Sequence, residues 1–190
     1  MNLFRLRDWF CFLSLFCTLQ ALNAMGADRQ SWLNNYDVAW NSPSSDARGS
    51  MPLGNGEVTL NAWVETNGDL QFYIGRSDSY SEVSRLLKVG LIRVSLSPNP
   101  FQDGQPFSQR LHLRDGVIEI SGGTQKNGAT LNLFIDPDKP VIYVTGNAAK
   151  PETVTLSVES WRTEPRTLKT NDVSDWTMGN APFPLVESAD

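Results

Sequence analysis

Two carboxylates four residues apart, Asp78 and Glu82 in Gly75-Arg76-Ser77-Asp78-Ser79-Tyr80-Ser81-Glu82, are the pair best suited to acid–base work. Glycoside hydrolysis needs an acid and a base or nucleophile about 5 to 10 Å apart, and a coiled segment would set both on one face. The same spacing fits helix capping, with Ser77, Asp78 or Ser79 opening a short helix over Ser81 to Lys88 and Glu82 in its first turn. The sole histidine, His112, lies between Leu111 and Leu113, both read as inward, so alternation turns it to the outer face or rim. It has no second histidine for a metal site and no serine–aspartate order around it. Asp136 and Asp138 flank Pro137 as turn residues, and this stretch has neither the alternating oxygen ligands nor the closing glutamate of a calcium loop. Gly-Asn-Gly-Glu-Val at 54–58 lacks the spacing of a phosphate loop. No metal or cofactor is expected.

The aromatic residues are a second resource, because indole rings stack on the apolar faces of sugars as readily as they fill cores. Of six tryptophans, Trp63 is the informative one: it interrupts the polar side of a strand whose other side is Leu60, Ala62 and Val64. Packing beneath another layer and contact with a sugar both fit it. Pro52-Leu53-Gly54-Asn55-Gly56 reads as a tight shaped loop presenting the Asn55 amide to a substrate, to a neighbouring domain, or simply to its own turn.

The elements that must position these residues are strands. Val58, Leu60, Ala62 and Val64 alternate, Thr66-Asn67-Gly68-Asp69 is a hairpin turn, and Leu70, Phe72 and Ile74 resume the period of two. The same grammar recurs at 89–97, on either side of Asp115-Gly116, on either side of Pro137, and at 154–158. Short strands joined by tight turns, without βαβ units, predict an all-β antiparallel β-sandwich. Residues 51–162 are assigned to it, with 28–50 an N-terminal aromatic segment and loop. There Trp32, Tyr36 and Trp40 form either one helix face or three anchors over the sandwich. Periodicity stops near Thr163, so 163–190 reads as a linker or a truncated continuation.

Residues 1–27 follow the charged, apolar, small-residue order of a secretory signal: Arg5 and Arg7, an apolar stretch to Leu22, then Ala24, Gly26 and Ala27. Phe16 before Cys17 argues against lipoprotein processing. Both cysteines, Cys11 and Cys17, lie in that segment. The remainder would have no disulfide, thiolate metal site or cysteine nucleophile. A secreted or periplasmic, bacterial protein with no membrane contact after signal removal is expected. Sixteen basic against 21 acidic residues, interspersed, leave no basic footprint for nucleic acid.

The run YDVAWNSPSSDARGSMPLGNGEVTLNAWVETNGDLQFYIGRSDSYSEVSRLLKVGLIRVSLSPNPF, followed by QRLHLRDGVIEI, resembles the N-terminal domain of uncharacterised function found in secreted bacterial glycoside hydrolase-like proteins. More distantly it is similar to the N-terminal sandwich of inverting α-L-fucosidase-type enzymes, with their Pro-[Leu/Ile]-Gly-Asn-Gly pattern. The resemblance implies a super-sandwich that is part of a larger protein. Catalytic carboxylates would then sit in a downstream (α/α) toroid missing from this chain, and the sandwich would lend loops to the cleft rim. Gly54, Asn55 and Gly56 would face the toroid, and Arg76, Asp78, Tyr80 and Glu82 would form a second such segment. Here Ser77-Asp78-Ser79-Tyr80 replaces the acidic-Thr-aromatic pattern of those enzymes. The expected role is a non-catalytic domain of a carbohydrate-active enzyme; a free-standing carbohydrate-binding or surface-interaction module is the alternative.

Overall fold

The computed structural model describes residues 31–80, 86–160, 163–168 and 184–189. In chain order the strands are β1 (Val38–Trp40), β2 (Met51–Gly54), β3 (Val58–Val64), β4 (Leu70–Tyr80), β5 (Leu86–Ser97), β6 (Phe107–His112), β7 (Val117–Gly122), β8 (Ala129–Ile135), β9 (Ile142–Ala148), β10 (Thr153–Glu159), β11 (Arg166–Thr167) and β12 (Val186–Glu187). They form two five-stranded sheets, ordered β1-β6-β7-β8-β9 and β10-β5-β4-β3-β2, plus the small pair β11-β12. Every strand pairing is antiparallel, so the protein is an all-β sandwich.

Alternation decides what lies between the sheets. Leu60, Ala62 and Val64 of β3, with Leu70 and Phe72 of β4 and Val94 and Leu96 of β5, meet Leu111, Ile118, Ile120, Leu131 and Leu133 from the other sheet. Gln109 occupies an inward position in this apolar layer, and its Nε2 donates to the Ala62 carbonyl at 3.2 Å, tying β6 to β3. A buried amide costs little when it is paired in this way. Strand β8 reaches the β2–β3 turn at its Ile135 end and lies beside Leu96 and Val154 at its Ala129 end, so the strands of the two sheets cross.

Several expectations change. Met51–Gly54 is a strand paired with β3, and the loop proper is only Asn55–Glu57. No helix opens at Ser77–Ser79: those residues are extended within β4, and Leu86–Lys88 already belongs to β5. Backbone pairing explains this, since Ser77 N donates to the Glu57 carbonyl at 3.0 Å and the ladder outcompetes a side-chain cap. Trp32 and Tyr36 share a 3₁₀ turn at Ser31–Tyr36 and meet edge to face at 5.9 Å, while Trp40 sits in β1; all three stay exposed. Leu113 is exposed as well, because β6 ends at His112 and alternation stops with it. The chain past Thr163 contributes the β11–β12 pair and a buried Leu168.

Candidate functional site

The Asn67-Gly68 turn fixes the register of the hairpin β3–β4, pairing Val64 with Leu70 and, six residues along, Val58 with Arg76. That register carries Arg76 to the β2–β3 turn. Arg76 Nη2 lies 2.9 Å from Glu57 Oε1, and its Nε lies 3.0 Å from Asp78 Oδ1. One guanidinium thus holds two carboxylates on a half-exposed surface, where each pair contributes only about 0.2–1 kcal/mol. A bulge beyond Gly75 releases residues 76–79 from β5, which lets this stretch follow the turn instead.

Asn55 is fully engaged by its own chain. Its Nδ2 donates to the carbonyls of Asp136 and Lys139 at 2.9 and 3.0 Å, and its Oδ1 accepts from the amides of Glu57 and Val58 at 3.0 and 2.8 Å. Both donors and both lone pairs of the amide are used. Gly56, at φ 94°, provides the left-handed residue that bends Glu57 and Val58 back onto that oxygen. Gly54 has an ordinary φ, and a Cβ there would come within 3.2 Å of the Thr59 methyl.

Beside this turn lies a groove of about 480 Å³ whose walls include Leu53, Asn55, Leu113, Arg114, Asp115 and Phe134. It brings the β2–β3 turn, the β6–β7 turn and the end of β8 to one end of the sandwich. Gly54, Asn55, Gly56, Arg76 and Asp78 therefore gather there. Tyr80 stands four residues further along β4, roughly 13 Å from Arg76, exposed and opposite Leu86. Glu82 lies outside the described residues. Trp63 is at the far end of β3, about 17 Å from Val58, only 3 % exposed and packed at 5.1 Å on Tyr73. Its Nε1 is buried without a hydrogen-bond partner among the described residues, as is Nε2 of its cross-strand neighbour Gln71. Lys88 Nζ caps the Tyr73 ring at 4.0 Å.

Two side chains of this region escaped the sequence reading. Glu57 is the carboxylate that joins Asp78, and the signal was available: an Asn67-Gly68 hairpin places residue 57 beside residue 77 by counting back from the turn. Asp37 gave no such signal. It precedes β1, and the pairing Val38 with Leu111 sets it beside His112. His112 Nδ1 and Asp37 Oδ2 are 3.1 Å apart, and Leu113 N donates to Asp37 Oδ1 at 3.1 Å. The Arg110 guanidinium approaches the same carboxylate at 3.8 Å. An aspartate that orients a histidine is part of many hydrolytic sites, but here the buried carboxylate also fastens β1 to β6. On the outer face of the other sheet, the hydrogen bond from Arg93 Nε to Glu159 Oε1, at 2.9 Å, is the main cause raising the Arg93 pKa; Asp69 and Glu65 add to it. Among the described residues no group of three or more His, Cys, Asp or Glu side chains is placed to hold a metal ion, and no helix is long and apolar enough to cross a membrane.

Residues 39–190 match the family DUF5703_N, described as a domain of unknown function (DUF5703), and the chain belongs to that family. No curated protein and no solved structure matches it.

Proposed function

We propose that this member of the DUF5703_N family is the non-catalytic β-sandwich domain of a secreted, glycoside hydrolase-like protein, its loop end forming one wall of a cleft completed by a downstream helical toroid. The observation that carries this reading is the convergence of the Asn55 turn with the Glu57–Arg76–Asp78 cluster beside the 480 Å³ groove. Asn55 serves the reading by holding that wall rigid rather than by touching a sugar, since its hydrogen-bonding capacity is already used. Exposed, oriented charges are what a sugar hydroxyl or a neighbouring domain can bind.

The test joins this chain to the polypeptide its gene encodes after codon 190 and assays both forms on a panel of aryl glycosides. Turnover is expected only from the joined protein, and Arg76→Ala there should lower kcat/KM by at least about tenfold by loosening the wall. A reading frame that stops after Asp190, or hydrolysis by the 190-residue chain alone, would refute the proposal.

One observation favours the second reading, a free-standing carbohydrate-binding module. Ser108, Ser121, Thr130 and Asn147 are successive cross-strand neighbours on the outer face of the β1-β6-β7-β8-β9 sheet, in a depression of about 580 Å³. Their side chains form no hydrogen bond with other described residues, which leaves an uncharged row of hydroxyls and an amide for a neutral polyhydroxylated ligand. Binding on a glycan array that Ser121→Arg removes would favour the module.

A further inference from the structure

Strand β10 pairs with β5 along one edge and, among the described residues, with nothing along the other. Its ladder is regular over seven residues, with Val154 opposite Leu96, Leu156 opposite Val94 and Val158 opposite Ile92. Those partners face the core, so Val154, Leu156 and Val158 point to the same side of the sheet. They are nevertheless 63, 62 and 69 % exposed. The facing sheet ends at β9 and leaves between the two edges a groove of about 570 Å³, to which Val94, Leu96, Leu131 and Val144 contribute core side chains.

Native edge strands are usually guarded by lysine, proline, a bulge or brevity. Residues 153–158, Thr-Val-Thr-Leu-Ser-Val, have no charge, proline or glycine, and the only charged side chain of β10, Glu159, is drawn back onto Arg93. The strand is also self-complementary. Laid antiparallel on a second copy about Leu156, it sets Leu156 against Leu156, Val154 against Val158, Thr155 against Ser157 and Thr153 against Glu159. All seven residues pair, the apolar side chains share one face, and no like charges oppose each other.

We propose that β10 is the edge across which two copies of this chain associate, antiparallel about a twofold axis at Leu156, joining two five-stranded sheets into one of ten. The contact is isologous, as a twofold dimer requires. A single seven-residue strand pair is small for a specific interface, so the dimer forms with rising concentration rather than permanently.

Sedimentation of the full chain across a concentration series tests this. A monomer–dimer equilibrium is expected, with the dimer Kd weakened at least about tenfold by Leu156→Lys. Register is tested separately, in case that variant misfolds, by cysteine pairing in a Cys11→Ser, Cys17→Ser background. Leu156→Cys meets its own counterpart and should form an intermolecular disulfide. Val154→Cys sits about 13 Å along the strand from its counterpart, beyond the roughly 7 Å Cα limit for a bridge, and should not. A chain that stays monomeric throughout, or that crosslinks equally at 154 and 156, overturns the proposal.

Discussion

The chain uses the dipeptide Asn-Gly at both ends of β3, and the two copies do different work. Gly68 and Gly56 have nearly the same φ, 90° and 94°. Asn67 spends its side chain locally, accepting from Asp69 N at 2.9 Å and donating to Asp69 Oδ2 at 3.0 Å. Asn55 accepts just as locally, but its two donors cross to the β8–β9 turn, more than 80 residues away. The backbone chemistry of a turn is therefore transferable, whereas the reach of its side chain depends on what another part of the fold places within 3 Å.

Substitutions at the two turns should separate these roles. The largest effect is expected from Asn55→Asp, which keeps the acceptor for Glu57 N and Val58 N but aims a carboxylate at two carbonyl oxygens. A loss of about 3 kcal/mol at neutral pH is expected in urea unfolding. The introduced carboxyl would have its folded pKa raised above the unfolded value, so the loss should shrink as pH falls through that folded pKa; a pH-independent loss would argue against the carbonyl contacts. Asn55→Ala removes all four bonds and leaves the turn carbonyls unpaired, and should cost about 2 kcal/mol. Gly56→Ala forces a side chain into the left-handed region and should cost about 1–2 kcal/mol, visible as a lower Tm with the dimer contact unchanged. Asn67→Ala, which loses only exposed local bonds, should cost less than about 1 kcal/mol. Equal costs at Asn55 and Asn67 would remove the distinction.

How much was legible follows from the range of each interaction. The hairpin at Asn67-Gly68, the inward series Leu60, Ala62, Val64 and the sandwich class are consequences of period and turn type, which act over a few residues. Of the helix expected at 81–88, residues 81–85 lie outside the described residues, but its expected cap at Ser77–Ser79 and its end at Leu86–Lys88 are strand. Capping residues are ambiguous until a partner strand is present: Ser77 had a backbone acceptor waiting at Glu57. For Trp63 the pattern left packing and sugar contact both open, and only the tertiary structure, burying it against Tyr73, decided for packing. Asp37 and His112, 75 residues apart, meet through strand order, which local pattern does not encode.

The order of residues by itself determined the hairpin at Asn67-Gly68, the inward series of β3 and the strand pattern from 89 to 158, since sterics and alternation act within a few bonds of each residue. The strand β2, the start of β5 and the outward turn of Leu113 were not read from it. Which strands became neighbours was decided only when the sheets closed on each other. With it were decided the engagement of Asn55 across the sandwich, the joining of Glu57 to Asp78 through Arg76, and the apolar edge at β10, unpaired among the described residues. Those outcomes depend on side chains brought within hydrogen-bond or van der Waals distance by burial of a shared core, a condition that no single segment contains.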